Sequence, residues 1–355
     1  MKKTMQKLTL MIFAGIILLF SSCVRDGNDP CPNYLRIVYD YNMEYVDLFH
    51  RQVTFLSVFM FDAQTGVLIR EIKEEQYPFP QNFTMDVPKE WFGHQYDIVV
   101  WAGLNPDSYD FPTMVPGTST ITDFQLKVKD YQNQLVHRNT ELEPLWHGKL
   151  SGVEFTEMEE KTHTVSLMKD TKKFRLVLQT LDADATLHAD DFDIRVVSSG
   201  GWYDNENTVL DPANREINFL PYYTATDAET GVIAEMNSLR IMNDGRMNML
   251  RITNKNTGET IFDVSLIKYL NALRLLQYSN MNLQEYLDRE DSYYILIFLK
   301  KEGGGTVDGS WLAVQVEIND WIILLITPYV LPVISVCLLI DRQKYVVCFN
   351  KKEKI

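Results

Sequence analysis

"QVTFLSVFMFD", Gln52–Asp62, is almost wholly apolar and rich in β-branched and aromatic side chains. It reads as a strand buried on both faces. "AQTG" follows as a turn and "VLIREI" returns, so Val53–Ile72 is predicted to be a β-hairpin. That hairpin sets the class. "YDIVVWAGL" (Tyr96–Leu104) is a second buried strand, and in "ITDFQLKVKDY" (Ile121–Tyr131) Phe124, Leu126 and Val128 alternate with Gln125, Lys127 and Lys129.

The same period continues downstream. "TKKFRLVLQTL" (Thr171–Leu181), "DFDIRVVSS", "SYYILIFLKK" and "WLAVQVEIND" all read as strands. In the last, Leu312, Val314, Val316 and Ile318 are expected on one face and Ala313, Gln315, Glu317 and Asn319 on the other. Only about Asp263–Arg289 favours helix, and within it Asn282 and Glu285 have capping-box spacing. Many short strands and few helices predict an all-β protein of two sandwiches, with the break near Met168–Lys172. The expected organisation is 34–170 and 171–321.

The ends of the chain differ from its body. Lys2, Lys3 and Lys7 precede the uncharged run Leu8–Phe20, and "LLFSSC" places Ser21 and Ser22 before Cys23. This reads as a secretory signal ending in a lipoprotein cysteine, predicted to be cleaved after residue 22 and to carry diacylglycerol with palmitate on Cys23; the alternative is an ordinary secretory signal with a coincidental cysteine. Residues 23–33, with Gly and two Pro, read as a polar tether. Processing takes the formal net charge from −14 to −17, because three lysines and no acids leave with the signal. An acidic exported chain repels phosphate backbones, which excludes nucleic acid as a partner.

At the other end, Ile322–Ile340 carries no charge over 19 residues, near the ~20 that span a bilayer as a helix. Pro328 and Pro332 would break its middle. The atypical tail 322–355 therefore has three readings: a membrane span, a β-prone donor strand, or sequence read out of frame.

The chain offers little chemistry. Of His50, His94, His137, His147, His163 and His188, none has metal-ligand spacing to another His, Cys or Glu. "DADATLHADDFD" (Asp182–Asp193) puts oxygens at calcium-loop positions, yet Leu187 stands where the turn needs Gly and Asp193 where a bidentate Glu is usual. "KEGGGTVDGS" lacks the lysine of a phosphate loop, and no G-x-S-x-G elbow occurs. After acylation Cys31 is the one thiol before the tail, too few for a disulfide framework. No catalytic, cofactor or metal residue is assigned. Six tryptophans could line a glycan groove, although their strand context favours core packing.

Several segments together resemble the FimB-type anchor subunits of fimbriae in Bacteroidales-like bacteria. They are Cys23 with "CPNYLRIVYDYNMEY" (Cys31–Tyr45), "YDIVVWAGL", "MNSLRIM" with "MNMLRITNKNTGETIFDVSLIKYL", "NLQEYLDREDSYYILIFL" (Asn282–Leu299), and "WLAVQVEINDW" (Trp311–Trp321). They lie in the family's order over residues 23–321. The resemblance implies two tandem transthyretin-like β-sandwich domains with a short helical insertion in the second. It also implies a non-catalytic lipoprotein on the outer membrane, surface-exposed, that attaches the base of a fimbria and influences its length. The implied partner is the major fimbrial stalk subunit, joined by strand addition. The alternative is a glycan-binding surface lipoprotein.

Overall fold

The computed structural model describes residues 30–136, 139–210, 215–228, 231–301, 311–319, 321–324, 338–340 and 345–347. The signal region, Cys23, most of the tether, His137 and the glycine-rich loop at 302–310 lie outside them.

The first half of the chain supplies β1 (Asn33–Tyr41), a helical turn α1 (Phe49–Gln52), β2 (Phe55–Asp62), β3 (Leu68–Glu75), β4 (Thr84–Asp86) and β5 (Gln95–Ala102). It continues with β6 (Tyr109–Asp110), β7 (Leu126–Val128), β8 (Leu135–Val136), β9 (Trp146–Glu154) and β10 (Lys161–Lys169). The predicted hairpin is β2–β3, antiparallel throughout. Its turn forms because Asp62 Oδ1 accepts from the amides of Gln64 and Thr65, while Gly66 takes a left-handed φ of 71°. As expected, the inner residues of β2 are buried on both faces.

One seven-stranded sheet is ordered β3-β2-β5-β9-β10-β1-β4. Leu56, Val58 and Met60 of β2 and Ile98 and Val100 of β5 share a core with Leu35 and Ile37 of β1 and Val165 of β10. The predicted strand at Ile121–Tyr131 shrinks to β7. Thr120 and Asp123 form a capping box that winds Ile121–Asp123 into a 3-10 turn instead. The alternation still holds, for Phe124, Leu126 and Val128 are buried and Lys127 is not.

The second half supplies β11 (Lys172–Thr180), β12 (Phe192–Ser198), β13 (Trp202–Tyr203), β14 (Ile217–Phe219), β15 (Tyr223–Asp227), β16 (Gly231–Ser238), β17 (Asn248–Asn254) and β18 (Thr260–Ser265). Helices α2 (Leu266–Gln277) and α3 (Leu283–Arg289) follow, then β19 (Ser292–Lys301) and β20 (Trp311–Ile318). A sheet running β15-β16-β11-β19-β20 packs on another ordered β18-β17-β12-β14-β8. Phe174, Leu176 and Ile297 from the first meet Ile194, Val196 and Ile252 from the second in one core. In β20 the predicted face holds at Val316 and Ile318. A register shift then pairs Leu299 with Ala313 and Phe298 with Gln315, which turns Ala313 inward.

The helical stretch is two helices, not one. Asn282 caps α3 by accepting from the Glu285 amide at 2.9 Å, as its spacing predicts. The reciprocal half of the box is not made, because the Glu285 carboxylate binds Arg289 at 3.0 Å. Asn282→Ala is expected to cost ~1 kcal/mol, read as a lower urea midpoint at unchanged slope.

The two halves are interleaved. Strand β8 lies before the junction in sequence yet pairs in parallel with β14, and β7 pairs antiparallel with β13. The outward face of β2 and β5, Phe59, Phe61, Val99 and Trp101, joins Phe124, Leu126 and Tyr203 in the core that continues into the second sandwich. Of the tail, β21 (Trp321–Leu324), β22 (Leu338–Ile340) and β23 (Tyr345–Val347) are strands, and β21 adds antiparallel to β20. Both ends of the run read as a possible span are thus extended. Among the described residues no helix is long and apolar enough to cross a membrane.

Candidate functional site

Strand β10 ends at Lys169 and β11 begins at Lys172, so Asp170 and Thr171 join the sandwiches. A junction in a loosely linked pair would be exposed and flexible. Here Asp170, Thr171 and Lys172 are all buried. Polar groups taken from water must find partners inside; Asp170 and Thr171 find them across the two halves, in Asn207 and the Leu145 amide, and Lys172 within the second.

The Lys172 ammonium donates to the backbone carbonyls of Asp288 at 3.0 Å and Glu290 at 2.8 Å. Burial pushes it down to about 8, against the pull of Asp288, Asp291 and Asp170. Arg240, just beyond β16, grips Asp288 with both ends of its guanidinium fork, Nε and one terminal nitrogen each at 2.8 Å. Its other terminal nitrogen donates to the Asn207 carbonyl at 2.7 Å. Burial would lower the Arg240 pKa, but Asp288 and Asp170 hold it above its ordinary value.

A loop of the second half, Asp204–Thr208, acts as a clasp. His147 Nε2 of β9 donates to the Asn205 carbonyl at 3.0 Å, and Lys149 reaches Asn205 Oδ1 at 3.1 Å and the Glu206 carboxylate. Burial pushes His147 down to about 3, so its ring is neutral and Nε2 carries the hydrogen. Asn207 Nδ2 donates to Asp170 Oδ1 at 2.7 Å. On the far side, the Arg289 guanidinium of α3 lies 4.0 Å from the Tyr41 ring centre and 4.6 Å from that of Tyr45, and donates to the Asn42 carbonyl at 3.1 Å. Lys169 pairs with Asp291 at 2.7 Å. The first sandwich is therefore held to the second by hydrogen-bonded charge as well as by shared apolar core.

Sequence reading did not single out these residues. The available signal was charge inside apolar runs: Arg240 within "MNSLRIM", Asp288 on the inner side of α3, and Lys172 before the apolar strand β11. Charges so placed need buried partners.

The other candidates are scattered. His50 and His163 are half-buried, His94 and His188 exposed and His147 buried, and among the described residues no three His, Cys, Asp or Glu gather as metal ligands. In the acidic loop Leu187 is a core residue, Asp182 Oδ2 accepts from the Lys301 amide and Asp193 pairs with Arg195. Trp91, Trp101 and Trp146 are buried, and Trp202 is half-covered by Lys127 with its Nε1 donating to Gln125. The end of the polar tether is already docked. Cys31 is buried with its amide on the Glu157 carbonyl, and buried Asn33 reaches the Thr156 carbonyl at 2.8 Å.

The sequence model of the fimbrillin-A associated anchor proteins Mfa1 and Mfa2 matches residues 28–327. The minor fimbrium anchoring subunit Mfa2 of Porphyromonas gingivalis is 24% identical over 324 residues, 88% of this chain and 92% of that one. A solved protein of Bacteroides thetaiotaomicron, described as polysaccharide binding, is 34% identical with a TM-score of 0.72, covering 83% of this chain and 98% of its own. The solved fimbrial anchor protein Mfa2 from Porphyromonas gingivalis shares the fold, at 20% identity and TM-score 0.64, over 82% of this chain and 98% of that one.

Proposed function

We propose that this chain, which belongs to the family of fimbrillin-A associated anchor proteins Mfa1 and Mfa2, is the lipid-tethered base of a fimbria. The observation that carries the reading is the family match, which begins at residue 28 and runs through both sandwiches. Cys23, five positions upstream, closes a lipoprotein signal. In this reading acyl chains on Cys23 hold the protein in the outer membrane, and the body stands on the cell surface. One acyl chain binds a bilayer only marginally, whereas two or more give a stable anchor.

The body binds the major fimbrial stalk subunit by strand addition and limits the length of the polymer. Main-chain hydrogen bonds along an open sheet edge supply affinity, and side chains at alternate positions supply register. Strand β15 is one such edge, exposed and paired on one side only among the described residues. The extended tail residues beyond Trp321 suit a donor strand better than a span. No catalytic step belongs to this reading. A base must also pass pulling force from polymer to lipid, which suits two sandwiches fastened by a shared core and a buried polar clasp.

The B. thetaiotaomicron relative gives glycan binding a claim as a second reading. Burial of Trp91 and Trp146 removes two of the aromatic surfaces it would use. Expression of tagged wild type and Cys23→Ala in the native cell, with fractionation and affinity capture from detergent, tests the proposal. Wild type is expected in the outer-membrane fraction with the major stalk subunit bound, and Cys23→Ala in the soluble fraction. A variant that still sediments with membrane overturns lipid anchoring at Cys23. Capture of glycan without fimbrial subunit overturns the anchor role.

A further inference from the structure

Asp170 has no exposed surface and Asn207 is 1% exposed, and their head groups share the 2.7 Å hydrogen bond from Asn207 Nδ2 to Asp170 Oδ1. The other atom of each head group, Asp170 Oδ2 and Asn207 Oδ1, is buried without a partner among the described residues. If Asp170 is ionised, both leftover atoms are acceptors, and two acceptors cannot satisfy one another. Leaving them so costs the desolvation of both groups. A proton on Oδ2 turns one of them into the donor that the other lacks.

We propose that Asp170 is held as the neutral acid and closes a two-bond acid–amide ring with Asn207, fastening the clasp loop to the junction of the two sandwiches and loosening when the proton leaves. Atoms balance simply: Oδ2–H donates to Asn207 Oδ1 while Nδ2–H donates to Oδ1, and on release the proton passes to solvent.

The charges around the ring permit this. Facing Asp170 are Arg240 beyond β16, Lys172 of β11, Asp288 of α3 and Tyr203 of β13. Both cations are committed elsewhere, Arg240 to Asp288 and the Asn207 carbonyl, Lys172 to the carbonyls of Asp288 and Glu290. Burial accordingly pushes Asp170 up to about 7, with Asp288 adding to the rise and Arg240, Asn207 and Lys172 opposing it.

A carboxyl raised in the folded state gives stability that is full below its unfolded value, 3.8, and is lost as pH climbs to about 7. Buried His147, lowered to about 3, has the opposite slope, gaining stability as pH rises toward its unfolded value of 6.5. Only a difference between two proteins isolates Asp170.

Asp170→Asn keeps the shape and carries a permanent donor where the proton would sit. Thermal unfolding of the full chain and of Asp170→Asn across about pH 5 to 8 is the test. The variant should gain on wild type steadily from the acid end up to about pH 7, and the difference should level off above it. A constant offset at every pH overturns the proposal. Should the variant not fold, 13C-labelled aspartate in the wild-type protein decides alone. One side-chain carboxyl titrating near neutrality supports the ring, and all aspartates titrating in the ordinary acid range overturn it.

Discussion

Asp288→Ala is expected to lower the unfolding free energy by ~3–5 kcal/mol, since it removes one partner of a buried ion pair. Both fork contacts of Arg240 are lost while the guanidinium stays buried, with 13% of its side chain exposed. The alanine also deletes the acceptor used by Gln284 at 2.9 Å. Lys172 keeps its bond to the residue 288 carbonyl, so the damage should centre on Arg240. The companion double variant Arg240→Leu/Asp288→Leu separates the loss of the pair from the stranding of a charge. Replacing both partners with apolar groups often costs far less than breaking the pair. Urea denaturation of the two singles and the double gives the coupling directly. A double variant as damaged as the sum of the singles would show that the pair contributes only through packing.

Trp101→Ala should cost a similar ~3–5 kcal/mol, the usual penalty for truncating a buried aromatic. Trp101 is fully buried on the outward face of β5. Its ring stacks on Phe124 with centroids 5.8 Å apart and meets the neutral His147 ring at 4.6 Å. The cavity therefore opens where the two sandwiches share their core, beside the residue that holds the clasp loop. Trp101→Phe should recover much of the loss, because it refills part of the space without a new polar group. Chemical denaturation measures both, and limited proteolysis between Asp170 and Asn207 reads whether the junction loosens before the protein unfolds. If Trp101→Ala loses under about 1 kcal/mol, the packing of this interior is wrong.

Strand identity was legible in the sequence wherever one face or both had to be dry. Gln52–Asp62, Tyr96–Leu104 and Ser292–Lys301 owe their form to apolar content, which a chain displays locally. The cap at Asn282 was legible for the same reason, because its partner amide is three residues away. Ile121–Tyr131 misled because alternation marks which side is dry, while the Thr120–Asp123 box decides how far the strand extends. The shift in β20 was invisible, since it lies in the pairing of β20 with β19, which alternation within one strand does not record. The junction chemistry lay furthest from view. Asp170 and Asn207 are 37 positions apart and Lys172 and Asp288 are 116 apart, and nothing local to any of them announces the other. The expectation at Cys23 is of the opposite kind, read wholly from its neighbours, and falls outside the described residues.

The parallel pairing of β8 with β14 bears on how the protein could be divided or assembled. A fragment starting at Lys172 would carry every strand of this second-half sheet except β8, and would leave the edge of β14 that faces away from β12 bare. Such an edge recruits whatever strand it meets. The partner fragment would keep residues 103–145 with neither β13 nor β14 to receive them. During synthesis the same segment emerges early and must wait for its acceptor strands. The two halves share strands, and the earlier part holds a piece of the later one in trust.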